Sequence, residues 1–194
     1  MIVLYHFLNR GFFINKITIN SAILEILVDA IANSKFDAIV IPSNSRLLPS
    51  GNLRCEVLRK AGAKVQMECN RIINKIGMVA TGASVKTSGG NLKSKHIIHT
   101  VGPTLGQGKE GKKIMLCIWN SLTLADEAGL HSIAFNPISL ENLGFNAKIS
   151  AEVMIPAIKK YLLKKNKNLK HVAIVLTDLP DYKEFETVLN DHSI

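Results

Sequence analysis

Two histidines three residues apart, His96 and His99 in HIIHTVGP, are the first residues whose type and spacing suggest chemistry. On a helix this spacing would build half of a metal site. The isoleucines between and the Thr-Val after them make the segment a strand, where residues three apart point to opposite faces. No shared metal is expected there, and no other metal spacing is present. GQGKEGKK, residues 106–113, resembles a nucleotide loop only superficially, because Pro103 interrupts the run from strand to helix. Serine, aspartate and histidine are all present, but no spacing selects a nucleophile, a base and an acid. The three cysteines, Cys55, Cys69 and Cys117, lie in helical segments and read as buried free thiols of a reducing compartment. What remains is DAIVIPSNSRLLPSGNLRCEVLRKAG, residues 37–62: an apolar run, a polar loop with Asn44 and Gly51, then an amphipathic segment. Such a loop can hold an anion, because the first amides of a helix lack intrahelical acceptors.

The elements that must position these residues alternate. Ile17–Ile19 and Ile23–Val28 read as early strands, and Ala38–Ile41 as a strand buried on both faces. Leu53–Ala61 carries helical spacing through Val57, Leu58 and Ala61. Ala63–Lys75 carries it through Val65, Cys69, Ile72, Ile73 and Ile76, with Gly62 between the two. Ser84–Thr87 and His96–Val101 read as strands joined through SGGN. Thr104–Lys113 reads as a mobile surface loop. Ile114–Ala128 is a helix stopped by Gly129, with Ile114, Ile118, Leu122 and Ala125 on one face. Ser132–Phe135 is a strand followed by a second polar loop, NPISLENLGFN. A helix over about 150–163 contains Pro156, Val172–Leu176 is a strand, and Tyr182–Leu189 is the last helix. Short strands alternating with helices predict a mixed sheet between two helical layers. Ligands in such folds sit at the carboxyl ends of strands. That edge holds the loops after Ile41 and Phe135.

Composition narrows the partners. The chain has 194 residues, 47% of them apolar, enough for one sizeable core. No run is long enough to span a bilayer. MIVLYHFLNRGFFINK lacks the basic flank of a leader peptide, so residues 1–20 read as an edge strand or hairpin; the free thiols read as those of a cytoplasmic protein. The formal charge of +9 favours anionic partners: nucleotides, phosphates or RNA. Part of that charge is crowded into KKYLLKKNKNLK, where lysines follow from a helix C-terminus without any function.

The order of the pieces from about Asp29 to Leu189 resembles a macro domain, the ADP-ribose-binding and ADP-ribose-phosphate-processing family. TGASVKTSGGNLKSKHIIHTVGP is similar to that family's strand pair ending in IHTVGP, and NSLTLADEAGLHSIAFNPIS to the helix, strand and second loop that follow. The resemblance implies a three-layer α/β/α sandwich with a central mixed β-sheet, formed by one domain over 1–194, with a cleft between the two loops. Within it Asp29 resembles the aspartate that accepts from the adenine amino group. DAIVIPSN resembles DAIVNAAN, keeping the last asparagine as Asn44, which would contact the distal ribose and is the one candidate for a catalytic role. Backbone amides of Gly51, Asn52 and Leu53, and of Asn142, Leu143, Gly144 and Phe145, would hold the diphosphate. Ser139 is kept from the second loop, and Phe145 would pack on the distal ribose.

The departures are chemical. The aspartate linked to catalysis in the hydrolase branch is replaced by Arg54, which stays protonated and cannot serve as a base. The loop residues Leu140 and Glu141 stand where threonine and glycine are usual, and Glu141 adds negative charge near the diphosphate. Two readings stay open. One is binding of ADP-ribose or a related adenine nucleotide derivative, with or without slow hydrolysis at the distal ribose. The other is a non-catalytic module that has lost ADP-ribose and binds RNA or another polyanion. No cofactor, metal or membrane partner is implied by either, and neither fixes an oligomeric state.

Overall fold

The computed structural model describes residues 14–138 and 146–191. Seven strands form one sheet: β1 (Ile14–Ile19), β2 (Ala22–Val28), β3 (Ala38–Pro42), β4 (Ser84–Ser88), β5 (His96–Thr100), β6 (Ser132–Phe135) and β7 (His171–Leu176). Their order is β1-β2-β7-β6-β3-β5-β4. The five inner strands run parallel, and antiparallel partners close both edges, β1 on β2 and β4 on β5. The carboxyl ends of β2, β7, β6, β3 and β5 therefore share one edge of the sheet.

Among the described residues, five α-helices cover the two faces: α1 (Asn52–Ala61), α2 (Ala63–Ile76), α3 (Glu110–Glu127), α4 (Ala147–Lys164) and α5 (Leu179–Asn190). The period of two along each buried strand divides the core. On β3, Ala38 and Val40 face a cluster with Ile118, Met154 and Phe185 from α3, α4 and α5. Ile39 and Ile41 face the other cluster, with Val57, Val65 and Cys69 from α1 and α2. β7 splits the same way, Val172 and Ile174 to one side, Ala173 and Val175 to the other. This is the expected α/β/α sandwich on a mixed sheet.

The boundaries shift in ways the chain explains. α3 begins at Glu110, so the stretch expected to be loop through Lys113 is partly helix. Lys109 turns into the left-handed region just before it, and the Glu110 carboxylate accepts from the Gly108 amide. α4 begins at Ala147 because the Asn146 side chain accepts from the Ile149 amide and caps it. Pro156 lies inside that helix. The apolar stripe of α2 fades toward its end: Val65 and Cys69 are buried, whereas Ile76 is 52% exposed. Cys55 is exposed, contrary to the expectation of three buried thiols; it lies on the outer side of α1, and only Cys69 and Cys117 are buried. No helix among the described residues is long and apolar enough to cross a membrane.

Candidate functional site

The shared edge opens into a cleft of about 550 Å³, within the range of small-molecule sites. Its floor is made where the strands end: Pro42 at the end of β3, Val101 and Gly102 after β5, Asn136 and Pro137 after β6, Leu176 at the end of β7 and Thr177 after it. Parallel pairing puts these exits side by side. The β3–α1 loop and the first turn of α1 form one wall, and Thr104 and Gln107 contribute from the segment before α3.

The β3–α1 loop is held by its own polar groups. The Asn44 side-chain amide donates to the Leu48 carbonyl and to Ser50 Oγ, both at 2.9 Å. Its oxygen accepts from the Arg46 and Leu48 amides at 3.1 and 3.0 Å. Both donors and both acceptor positions of the side chain are thus engaged inside the loop. Leu47 is fully buried in the left-handed region, with φ 55°. Its carbonyl accepts from Arg54 Nη2 at 2.6 Å and from Gln66 Nε2 at 3.2 Å, which holds the strained turn in place. Gly51, with φ 65° and ψ 166°, occupies the cap position just before α1, and no side chain caps the helix. The first amides of α1 have no intrahelical acceptor, and Gly51, Leu53 and Arg54 line the cleft at this point.

Arg54 anchors the whole arrangement. It is 2% exposed. Nε donates to the Leu48 carbonyl at 2.9 Å, and Nη1 donates to Ser43 Oγ at 2.7 Å. Nη1 also lies 2.9 Å from His99 Nδ1. A guanidinium only donates, so Nδ1 is the acceptor and the proton of His99 sits on Nε2. Nε2 then donates to Thr87 Oγ1 at 2.9 Å, and the threonine hydroxyl donates to the Ser88 carbonyl at 3.0 Å. Burial, and then the neighbouring guanidinium, push the His99 pKa down to about 3, so the ring is neutral. Cys69 Sγ lies 3.9 Å from Arg54 Nη2; burial raises its pKa and the guanidinium pulls the other way. His99 and Cys69 are therefore a neutral acceptor and a neutral thiol beside a buried cation.

Of the residues expected from sequence, Asn44, Gly51 and Leu53 line the cleft. Asn52 is the first residue of α1 but does not line it. Asp29 lies just beyond the lining: its amide donates to the Leu176 carbonyl at 3.0 Å, and its carboxylate accepts from the Ala30 amide at 2.7 Å. Ser139, Asn142, Leu143, Gly144 and Phe145, with Leu140 and Glu141, lie outside the described residues. No cluster of three or more metal-ligating side chains occurs among the described residues.

Sequence reasoning missed the anchoring role of Arg54 and its partners. Arg54 stands three, four and seven residues before Val57, Leu58 and Ala61, at the head of the buried stripe of α1. A charge in that phase marks a buried cation. Asp181, in the first turn of α5, was also missed; it lines the cleft, and burial followed by Asp178 and Glu184 raises its pKa. No local pattern marks a residue that reaches the site only because β7 lies beside β6.

Comparison with known proteins accounts for this architecture. A macro domain family model matches residues 40–154. The chain is 34% identical over 167 residues to a macro domain-containing protein of Listeria monocytogenes, covering 84% of this chain and 95% of that one. It is 37% identical over 166 residues to the protein-ADP-ribose hydrolase of Staphylococcus aureus, covering 79% and 62%. Among solved structures, the Oceanobacillus iheyensis macrodomain with ADP superposes with a TM-score of 0.88 at 29% identity, covering 93% of this chain and 96% of that one. A mutant of the same macrodomain with ADPR gives 0.87 at 29%, covering 91% and 97%. On this family match and on relatives similar over most of their length, the chain belongs to the macro domain family.

Proposed function

We propose that the protein binds ADP-ribose or a related adenine nucleotide derivative in the cleft at the carboxyl edge of its sheet. The observation that carries this reading is the start of α1. An uncapped helix N-terminus opens at Gly51 onto a 550 Å³ cleft, where backbone N–H groups and the helix dipole favour a diphosphate. The solved macrodomain with ADP, similar over nearly the whole chain, supports the same ligand class. In this reading Asp29 lies at the adenine end, beside Leu176. Asn44 acts by fixing the loop, since its side chain is engaged there.

Binding is better supported than hydrolysis. Position 54, where the family resemblance implies an aspartate in the hydrolase branch, holds a buried, protonated arginine, and a guanidinium cannot activate water. Asp181 is the only carboxylate lining the cleft among the described residues, and it belongs to the β7–α5 side.

Calorimetric titration with ADP-ribose, ADP and a short RNA at two salt concentrations tests the reading. ADP-ribose is expected to bind with one-to-one stoichiometry, and Asn44→Ala to weaken it by about tenfold, through loss of loop order. Absence of binding by both nucleotides would overturn the proposal. RNA binding that persists at the higher salt without nucleotide binding would favour the polyanion-binding alternative.

A further inference from the structure

The charge on Arg54 has no counter-ion among the described residues. Its partners are two carbonyl oxygens, a hydroxyl, a neutral imidazole and a thiol. The three ion pairs among the described residues, Lys60–Glu56, Lys95–Asp37 and His171–Glu25, do not include it. Burial lowers its pKa, the sign of a cation whose lost hydration is incompletely replaced. A guanidinium nonetheless stays protonated. Yet the residue lines the cleft, and Ser43, which accepts from its Nη1, lines it too.

The only other charged side chain lining the cleft among the described residues is Asp181. It follows β7, two strands from β3 in the sheet, a separation of roughly 10 Å at the usual strand spacing. Asp181 is also half-exposed, so solvent screens it more than it screens Arg54.

We propose that Arg54 is a specificity-determining residue: its buried, unpaired charge selects anionic over uncharged ligands at the start of α1, without touching them. The inference rests on the nucleotide-binding reading above. A fixed charge in the cleft wall, its donors already engaged by the protein, adds to the potential of the α1 amides, and it costs no reorganisation when the ligand arrives. It also gives the arginine a role distinct from holding the loop. A clamp affects every ligand of the cleft alike, whereas a field acts in proportion to ligand charge.

The test is a titration of adenosine, ADP and ADP-ribose with the wild type, Arg54→Lys and Arg54→Gln. In the wild type, ADP binds more tightly than adenosine. Arg54→Gln keeps an amide donor but loses the charge, and its ADP-to-adenosine preference is expected to fall about tenfold. Arg54→Lys keeps the charge but loses the fork of donors. It is expected to weaken all three ligands while keeping the preference within about twofold of wild type. Equal weakening of adenosine and ADP by Arg54→Gln, or no change, would overturn the proposal and leave Arg54 as a clamp. Failure of the wild type to bind either nucleotide would instead overturn the functional reading on which it rests. If Arg54→Gln does not fold, a salt series on the wild type decides. A buried charge keeps most of the preference at 1 M salt, and its collapse there would overturn the proposal.

Discussion

His99 and Arg54 show how one buried cation fixes the state of its neighbours. The His99 ring is wholly buried and receives a hydrogen bond from the guanidinium, so it stays neutral down to about pH 3. In the unfolded chain the same ring titrates near 6.5. Between these values the unfolded state binds a proton that the folded state refuses. Stability is therefore undiminished above pH 6.5 and falls as pH drops from 6.5 toward 3, by up to about 1.4 kcal/mol per pH unit. His99→Gln keeps an acceptor for Arg54 and a donor for Thr87 but does not titrate. Urea denaturation is expected to show the wild type losing up to about 2 kcal/mol more than this variant between pH 6.5 and 5. Parallel pH profiles would mean that the ring is not held neutral by its surroundings. The neutrality of His99 was not readable from HIIHT; only the strand period was. That period puts Ile97 and His99 on the α1–α2 side of the sheet and Ile98 on the other, so strand geometry alone excludes a metal shared between His96 and His99.

At the scale of elements, the β4–β5 connection docks on the junction of α1 and α2. Gly90 has φ 59°, and the Asn91 amide donates to the Ala61 carbonyl at 2.9 Å. A Cβ at position 90 would stand 2.1 Å from that carbonyl oxygen and 3.0 Å from Val65 Cγ2. Gly90→Ala combines a left-handed backbone with a backbone clash, and is expected to destabilise the protein by at least about 2 kcal/mol. Chemical denaturation measures this directly. A change under about 0.5 kcal/mol would show that the turn does not bear on the end of α1. SGGN announced a turn with positive φ, but not what lay beneath it. The contact with Ala61 joins segments about 30 residues apart, and local propensity carries no information about such pairs.

For the whole molecule, the cleft is assembled from separate chain segments: the exits of β3, β5, β6 and β7 and the first turns of α1 and α5. No part of it exists in the unfolded chain. A ligand of this cleft must therefore stabilise the fold by mass action. ADP-ribose at a hundred times its dissociation constant is expected to add about 2.7 kcal/mol, a rise in melting temperature of roughly 5–10 °C for a chain of this size. Differential scanning fluorimetry over a ligand series tests it. Saturating binding by calorimetry with no thermal shift would place the ligand on a surface that persists on unfolding, away from this edge.

Periodicity and order determined much. Runs such as Ala38–Ile41 and Val172–Leu176 can be buried on both faces only between two helical layers, so the sandwich followed from their composition. The loop after β3 was marked as a ligand loop because a buried strand empties there into polar residues and then a helix. These are local properties, written in neighbours along the chain. The rest is contact across the chain. The sheet order brings β7 and Asp181 to the same edge as Arg54, although 127 positions separate them. Likewise Arg54 at the head of α1, His99 on β5, Thr87 on β4 and Cys69 on α2 became one hydrogen-bonded group only once two strands paired and two helices packed over them. Sequence showed an arginine where an acid was expected. That it is buried, multiply bonded and without a counter-ion among the described residues was decided by tertiary packing, because solvation and pairing are properties of a residue's surroundings.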